Sequence, residues 1–233
     1  SRVMDTTLIN HMGTDLTVVN AARVSFNKES DWENVTPAGR LVGVLKEGDE
    51  KLIKYLAKHN HFTPFTHCTI TMREDVPIFV ARQRFKHTVG FSYNEISRRY
   101  VASPPDFYTP KGWRKAAENA KQGSSDEVVD INYEFSFESD EGKYKNPYDR
   151  ALKICEQTYY QLINMDVCPE QARMVLPQSM YTSYYVTGSL YAWARAYNLR
   201  SDPHAQQEIQ ELAEGWNKIL KHLYSISWEA LTE

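Results

Sequence analysis

Between Arg82 and Tyr100 the chain holds five Lys or Arg residues and one Glu, a local charge of +4 inside a 233-residue protein whose formal charge is −3. The rest of the molecule therefore carries −7, and so concentrated a reversal suits an anionic ligand. Arginine forks meet phosphate oxygens two at a time, while Asn94, Ser97 and the loop amides after Gly90 add neutral donors. A solvated basic face, or ion pairs to acids elsewhere in the chain, would leave the same signature. A second basic group, Arg173, Arg195 and Arg200, has the chemistry to stabilise negative charge developing on a heterocycle, provided the donors are fixed before the reaction begins.

Covalent and metal chemistry find less support. Ser97 follows Glu95 by two residues but lacks the Gly-x-Ser-x-Gly turn of an activated serine, so a hydrogen-bonding role suits it better. Three cysteines without CxxC spacing predict reduced, mostly buried thiols, with Cys68 and Cys155 on apolar faces. His59, His61 and His67 come without an H-E-x-x-H pattern, so no metal site is expected.

The elements that position these residues show as periodicities. Helical spacing runs from Asp15 to Val24 behind Thr14, and from Glu50 to His59 with Asp49 as cap. Cys68, Ile70 and Met72 alternate with Thr69, Thr71 and Arg73, which predicts a half-buried strand over 66–74. Pro77 opens a helix from Ile78 to about His87, stacking Arg82, Gln83, Lys86 and His87 on adjacent stripes. Helices are expected over 149–165, 169–176 and 190–199, and a strand over 179–187. A long final helix is expected to start at Asp202-Pro203 and to carry Ile209, Leu212, Trp216 and Leu220 on its apolar face. Residues 101–147 include seven carboxylates and no Lys or Arg between Asp126 and Glu141, and read as an acidic surface insertion. The whole, 1–233, reads as one domain mixing helices with a sheet.

Composition excludes other classes. Apolar residues at 42% and charged residues at 24% describe a folded protein, neither a disordered tail nor a fibre. The small net charge gives no field to hold DNA or an anionic membrane. Apolar runs fall far short of the roughly 20 residues that span a bilayer, and Ser1-Arg2-Val3-Met4-Asp5 lacks the apolar region of a secretion signal, so the expected location is the cytoplasm, with no membrane partner. Aromatics at 12% favour a ring-shaped ligand. The alternative is a single-stranded nucleic-acid-binding module using segment 82–99 and its tyrosines as a stacking platform, which the overall acidity opposes; no nucleic-acid partner is expected.

Arg82-Gln83, Lys86-His87, Ser92-Tyr93-Asn94-Glu95 and Ser97-Arg98-Arg99-Tyr100 together resemble the core motif of the flavin-dependent thymidylate synthases, an Arg-His-Arg, a short spacer, a Ser and an Asn-Glu-x-Ser-x-Arg run. The resemblance extends to Ala21-Ala22-Arg23-Val24-Ser25-Phe26, to 59–67, to Ala172-Arg173-Met174-Val175-Leu176-Pro177 and to 198–206, five motifs in order over most of the chain outside the insertion. It implies a mainly antiparallel sheet packed by helices and a homotetramer with sites shared between subunits. The implied reaction is reductive methylation of dUMP to dTMP, with methylenetetrahydrofolate as carbon donor and FAD, reduced by NADPH, as hydride source. By the same resemblance Gln83, Arg84, Phe85, Lys86, Glu95, Ser97, Arg99, Arg173 and Arg200 contact dUMP, with Arg200 the catalytic residue that favours ionised N3 of the uracil. Thr63, Lys86, His87, Thr88, Glu95, Ser189, Tyr191 and Arg195 lie along FAD, and His61 near the flavin and folate rings.

The chain also departs from the pattern. Lys86-His87-Thr88 stands for Arg-His-Arg, the spacer before Ser92 is one residue longer, Ser189-Leu190-Tyr191 replaces Asn-Ala-Arg, and Arg195 occupies a usual Asn position. Arg195 is therefore expected to supply the charge missing at Thr88 beside FAD.

Overall fold

The computed structural model describes residues 2–118, 123–135, 137–139 and 142–233. In chain order these form β1 (Asp5–Met12), α1 (Asp15–Arg23), a paired β2 (Glu33–Val35) and β3 (Val42–Val44), α2 (Glu47–Lys58), β4 (Thr69–Pro77), α3 (Ile78–Arg84) and β5 (Phe91–Glu95). Two antiparallel pairs follow, β6 (Trp113–Ala116) with β7 (Ser124–Val129) and β8 (Phe137–Ser139) with β9 (Gly142–Tyr144). The remainder is α4 (Pro147–Asn164), α5 (Pro169–Ala172), β10 (Tyr181–Ser189), α6 (Leu190–Arg200), α7 (Gln207–Leu223) and α8 (Ser225–Thr232). A four-stranded sheet has the order β1-β4-β10-β5. It is antiparallel: Thr71 meets Thr187 while Ile78 meets Met180 farther along, and Ile96 donates to the Ser183 carbonyl while Gly188 lies against Phe91. No helix among the described residues is long and apolar enough to cross a membrane.

The chain groups into two compact units, neither contiguous. The first takes residues up to Met4, Asp75–Arg82 and Glu95–Ser183; the second takes Asp5–Glu74, Gln83–Asn94 and Tyr184–Glu233. In the first, Asn146 caps α4 by accepting from Asp149 N at 2.9 Å. The expected insertion lies here. β7 is largely exposed and its Glu127 pairs with Lys115 of β6 at 3.4 Å on the surface, while Asp140 and Glu141 fall outside the described residues.

The second unit is built on the predicted alternation of β4: Cys68, Ile70, Met72 and also Glu74 are fully buried. α7 lays Ile209, Leu212, Ala213, Trp216 and Leu220 into the core, the stripe that helical periodicity requires. Trp193 of α6 meets Trp216 edge to face at 5.5 Å and donates from Nε1 to the Ile70 carbonyl at 3.2 Å. Asp15, buried at the start of α1, accepts from the Ile226 and Ser227 amides at 3.1 and 3.0 Å, satisfying donors that a helix start leaves open.

Inside this unit lies a buried ion pair. Arg84, at the end of α3, donates from Nε to Glu74 Oε1 at 2.9 Å, and both side chains are 0% exposed. Trp216 Nε1 donates to the other Glu74 oxygen. The Arg84 guanidinium carbon lies 4.6 Å from the Phe91 and Trp216 ring centres and 4.9 Å from that of Trp193, so aromatic faces supply part of the solvation that water gives elsewhere.

Several boundaries differ from the sequence reading. α2 begins at Glu47, because the Asp49 carboxylate is taken by Arg23 at 3.0 Å and by the Ser30 hydroxyl, and so does not cap. α3 stops three residues before His87. α7 starts at Gln207; Asp202 Oδ1 instead accepts from His204 N at 2.8 Å and closes a local turn. Of the thiols only Cys68 is buried; Cys155 is partly covered and Cys168 exposed.

Glu74→Gln leaves Arg84 buried without a counter-charge and should cost about 3–5 kcal/mol. At roughly 2–4 °C per kcal/mol for a chain of this size, the thermal midpoint should fall by about 6–20 °C. Adding Arg84→Met, which removes the orphaned charge, should recover at least half of that loss in the same melting experiment.

Candidate functional site

The predicted site residues fall into two groups, one in each unit. In the second unit the chain leaves α3 at Arg84 and makes a tight turn, with amides of Lys86, His87 and Thr88 donating to the carbonyls of Gln83, Arg84 and Lys86 at 3.1–3.3 Å. Gly90, at φ +82, takes the left-handed conformation that re-aims the backbone into β5. No side chain fits at Gly188 on β10: a Cβ there would stand 2.5 Å from the Phe91 ring and 2.9 Å from the Gly90 carbonyl.

Against this turn stands one face of α6. Ala192, Arg195, Ala196 and Leu199 are spaced i, i+3, i+4 and i+7 and so share a stripe. With Lys86, His87, Thr88, Val89 and Phe91 they line a cavity of about 170 Å³. Two cations, a hydroxyl and an imidazole thus meet an apolar wall, and the two alanines leave the space between. Four of the expected FAD residues, Lys86, His87, Thr88 and Arg195, come together here.

Arg200, in the last turn of α6, fixes the imidazole. Its Nε donates to His87 Nε2 at 2.8 Å and its Nη2 to the Gln83 carbonyl at 3.1 Å. A guanidinium only donates, so His87 Nε2 is an acceptor and the ring proton sits on Nδ1. Burial first, then the charges of Arg200, Arg84 and Arg195, push the His87 pKa down to about 4, and the imidazole is neutral at pH 7. Arg200 itself is pushed below the usual guanidinium range by burial and by Arg84.

The other second-unit residues lie around the start of α6. Ser189 Oγ accepts from Ala192 N at 3.2 Å and is committed to capping that helix. Tyr191 stacks on Phe62 at 5.0 Å and donates to Asn60 at 3.2 Å, tying the 60–62 turn to α6; the Arg195 guanidinium lies 5.9 Å from the Tyr191 ring centre. His61 sits edge-on to Tyr55 at 5.8 Å, and Thr63 opens the short helical turn Thr63–His67. The Gln83 side chain pairs with that of Gln206.

The resemblance places Arg84 and Phe85 against the nucleotide; in this structure their side chains pack within the second unit. Arg84 is wholly buried on Glu74 because its position on α3 faces the core. Phe85 packs edge-on against Tyr93 and Tyr184 at 5.0 and 4.8 Å, and neither residue lines the cavity.

In the first unit, Thr182 Oγ1 donates to Glu95 Oε2 at 2.6 Å, and Ser97 Oγ accepts from Arg99 N at 3.2 Å. Arg99 Nε donates to the Glu170 carboxylate at 3.2 Å and Arg173 Nε to the Glu170 carbonyl at 3.0 Å. Two expected nucleotide-binding arginines therefore converge on one residue. The Arg99–Glu170 pair is about half exposed on both sides, and such pairs are held by at most about 1 kcal/mol, so a better anion can take the glutamate's place. The sequence reading missed Glu74, the Tyr93 hydroxyl that donates to the His87 carbonyl at 2.7 Å, Thr182 and the small residues Ala192 and Ala196. Glu74 was detectable: an acid in phase with Cys68, Ile70 and Met72 requires a buried partner.

The His87 geometry sets a pH dependence. The unfolded imidazole takes its proton near pH 6.5, the folded one near 4, so the stability contributed is full above about 6.5 and is lost as pH falls towards 4. By NMR the His87 ring should titrate near pH 4, and Arg200→Gln should raise that midpoint by more than a unit.

The family described as thymidylate synthase complementing protein matches residues 7–224. The flavin-dependent thymidylate synthase of Thermosipho africanus is 37% identical over 223 residues, covering 96% of this chain and 88% of its own, and that of Thermus thermophilus is 33% identical over 233 residues, covering 97% and 74%. Among solved structures, the UMP/dUMP methylase PolB from Streptomyces cacaoi bound with 5-Br dUMP superposes with a TM-score of 0.75 at 26% identity, covering 100% of this chain and 96% of that one. With the matched family spanning both the Lys86–Thr88 turn and the Arg99–Arg173 pair, the chain belongs to the flavin-dependent thymidylate synthases and is an enzyme of the methyltransferase class.

Proposed function

We propose that the enzyme methylates dUMP to dTMP in the cytoplasm, with methylenetetrahydrofolate as carbon donor and FAD, reduced by NADPH, as the source of hydride. The observation that carries this reading is the cavity between the Lys86–Thr88 turn and α6, where Lys86 and Arg195 flank an apolar wall of Val89, Phe91, Ala192, Ala196 and Leu199. That donor set suits a ligand joining a flat ring to a diphosphate. The fit is to part of such a molecule, since about 170 Å³ takes a ring edge or a diphosphate but not a whole dinucleotide. FAD, when bound, supplies hydride transfer; the chain's residues supply binding, orientation and electrostatics.

Lys86 and Arg195 meet negative charge, Thr88 adds a hydroxyl, and His87 presents an uncharged Nδ1–H donor. Ser97, Arg99 and Arg173 receive the nucleotide phosphate, which displaces Glu170 from Arg99. Glu95 is oriented by Thr182, and His61 and Thr63 border the rings. With the sites shared between subunits, the uracil of a nucleotide whose phosphate another subunit holds meets Arg200, whose Nη1 is left over once Nε and Nη2 are engaged; a fixed cation there favours the ring's ionised N3 and raises nucleophilicity at the ring carbon. The similarity to a UMP/dUMP methylase supports a uridylate ring as acceptor. A homotetramer is part of the proposal, and exposed apolar side chains in the second unit, including Phe26 at 77% and Leu41 at 71%, support burial of this surface in an assembly.

Three measurements test the reading. Purified protein should be yellow, its flavin band should shift on adding dUMP, and tritium should leave C5-labelled dUMP only when the folate is present. A colourless protein that instead binds single strands with steep salt dependence would overturn it. Arg200→Ala should lower kcat by about 100-fold, the scale of one lost preorganised donor, with dUMP still bound. Arg195→Ala should weaken FAD by about fivefold, roughly 1 kcal/mol; a change within twofold would show that Arg195 does not replace the charge missing at Thr88.

A further inference from the structure

Arg84 contacts neither the cavity nor solvent, yet it is connected to both sides of the turn that forms the cavity. Its Nη1 donates to the Tyr93 hydroxyl at 2.7 Å, and that hydroxyl lies 2.7 Å from the His87 carbonyl and 3.1 Å from that of Arg84 itself. Nε and Nη1 are thus spent on Glu74 and Tyr93, and Nη2 has no partner among the described residues. A phenol that accepts from a guanidinium must turn its own proton towards one of the two carbonyls. Tyr93 is therefore held as a clamp on the backbone of the turn carrying His87. On the imidazole side, Arg200 Nε aims at Nε2, and no described residue accepts from Nδ1.

We propose that the buried Arg84–Glu74 pair is a positioning device for the flavin-side cavity. Acting through Tyr93, it fixes the Lys86–Thr88 turn so that His87 meets Arg200 at Nε2 and offers Nδ1–H to an acceptor on the ligand. The device differs from a plain core contact in that a charge, not packing volume, orients the phenol. The groups facing His87 are all cationic, namely Arg84, Arg195 and Arg200, and Glu74 holds the buried one in place. Loss of the pair frees the turn and lets the ring rotate away from Arg200 to take a proton.

The identity of the cavity ligand rests on the function proposed above, whereas the state of His87 does not, and the experiment separates the two. Glu74→Gln/Arg84→Met keeps side-chain volume while removing both charges, and Tyr93→Phe removes only the clamp. Each is assayed without flavin, by nitrogen-detected NMR of the His87 ring, and with FAD, by fluorescence titration. In the wild type the ring should carry its proton on Nδ1 and titrate near pH 4. In the double variant the midpoint should rise by at least one unit, a tenfold change in proton affinity, and FAD should bind about tenfold more weakly. Tyr93→Phe should weaken FAD at least threefold, and Arg84→Lys, which keeps the charge beside an intact Glu74, should retain most of the affinity that the double variant loses. If the double variant does not fold, Tyr93→Phe alone decides. A His87 tautomer and midpoint unchanged in every folded variant would overturn the positioning role. A wild type that shows the expected His87 behaviour but binds no FAD would overturn the flavin assignment and leave the device intact.

Discussion

Glu74 and Arg84 carry opposite charges into a region of the second unit that water does not reach, and a pair so placed persists only where nearly every donor and acceptor is met. Removing two ions from water costs several kcal/mol each, so the surrounding structure must return it. It does so from several directions: Trp216 of α7 donates to Glu74, Tyr93 of β5 accepts from Arg84, and Phe91, Trp193 and Trp216 offer ring faces to the guanidinium. One strand edge, one helix end and the two helices that follow β10 are thereby held to a single geometry. An apolar plug of equal volume would tolerate small slips among them, because dispersion has no direction, whereas hydrogen bonds to ions do.

That geometry explains why the cavity turn can be short. Three successive amides close it, but such turns exchange conformations unless something outside them intervenes. Here the His87 carbonyl is gripped by Tyr93 and the imidazole by Arg200, so both ends of one residue are fixed. Lys86 and Thr88, on either side, inherit the orientation. The crowding of guanidinium groups is costly with no anion present, and it is the kind of stored electrostatic imbalance that a phosphorylated ligand relieves.

Much of this was readable in the sequence where periodicity or spacing reports burial. The alternation through Cys68, Ile70 and Met72 found β4, the stripe through Ile209 and Trp216 found α7, and the Leu190–Leu199 spacing found α6. β1 and β5 escaped because sequence pattern weighs apolarity. Asp5–Met12 has six exposed positions of eight, and its role is set by pairing with β4, a tertiary fact. The capping signals at Asp49 and Asp202 misled because a carboxylate beside a helix start has other donors to choose from. Asp49 found Arg23 and Ser30, from a segment no local rule connects to it. At the site, motif order located the cationic residues but not their facing: α3 ends at Arg84, so Arg84 is a core charge on the helix while Lys86, two positions on, stands in the turn that lines the cavity.

Asp15, which receives two amides of α8, joins residues more than 200 positions apart, and with it goes a constraint on biosynthesis. A ribosome extrudes the chain from its amino end, so β1, α1 and the cavity turn emerge long before the helix whose start Asp15 completes. Until α8 has emerged the Asp15 carboxylate lacks the two amides that satisfy it, so this corner of the second unit closes only after residues made more than 200 positions later have arrived.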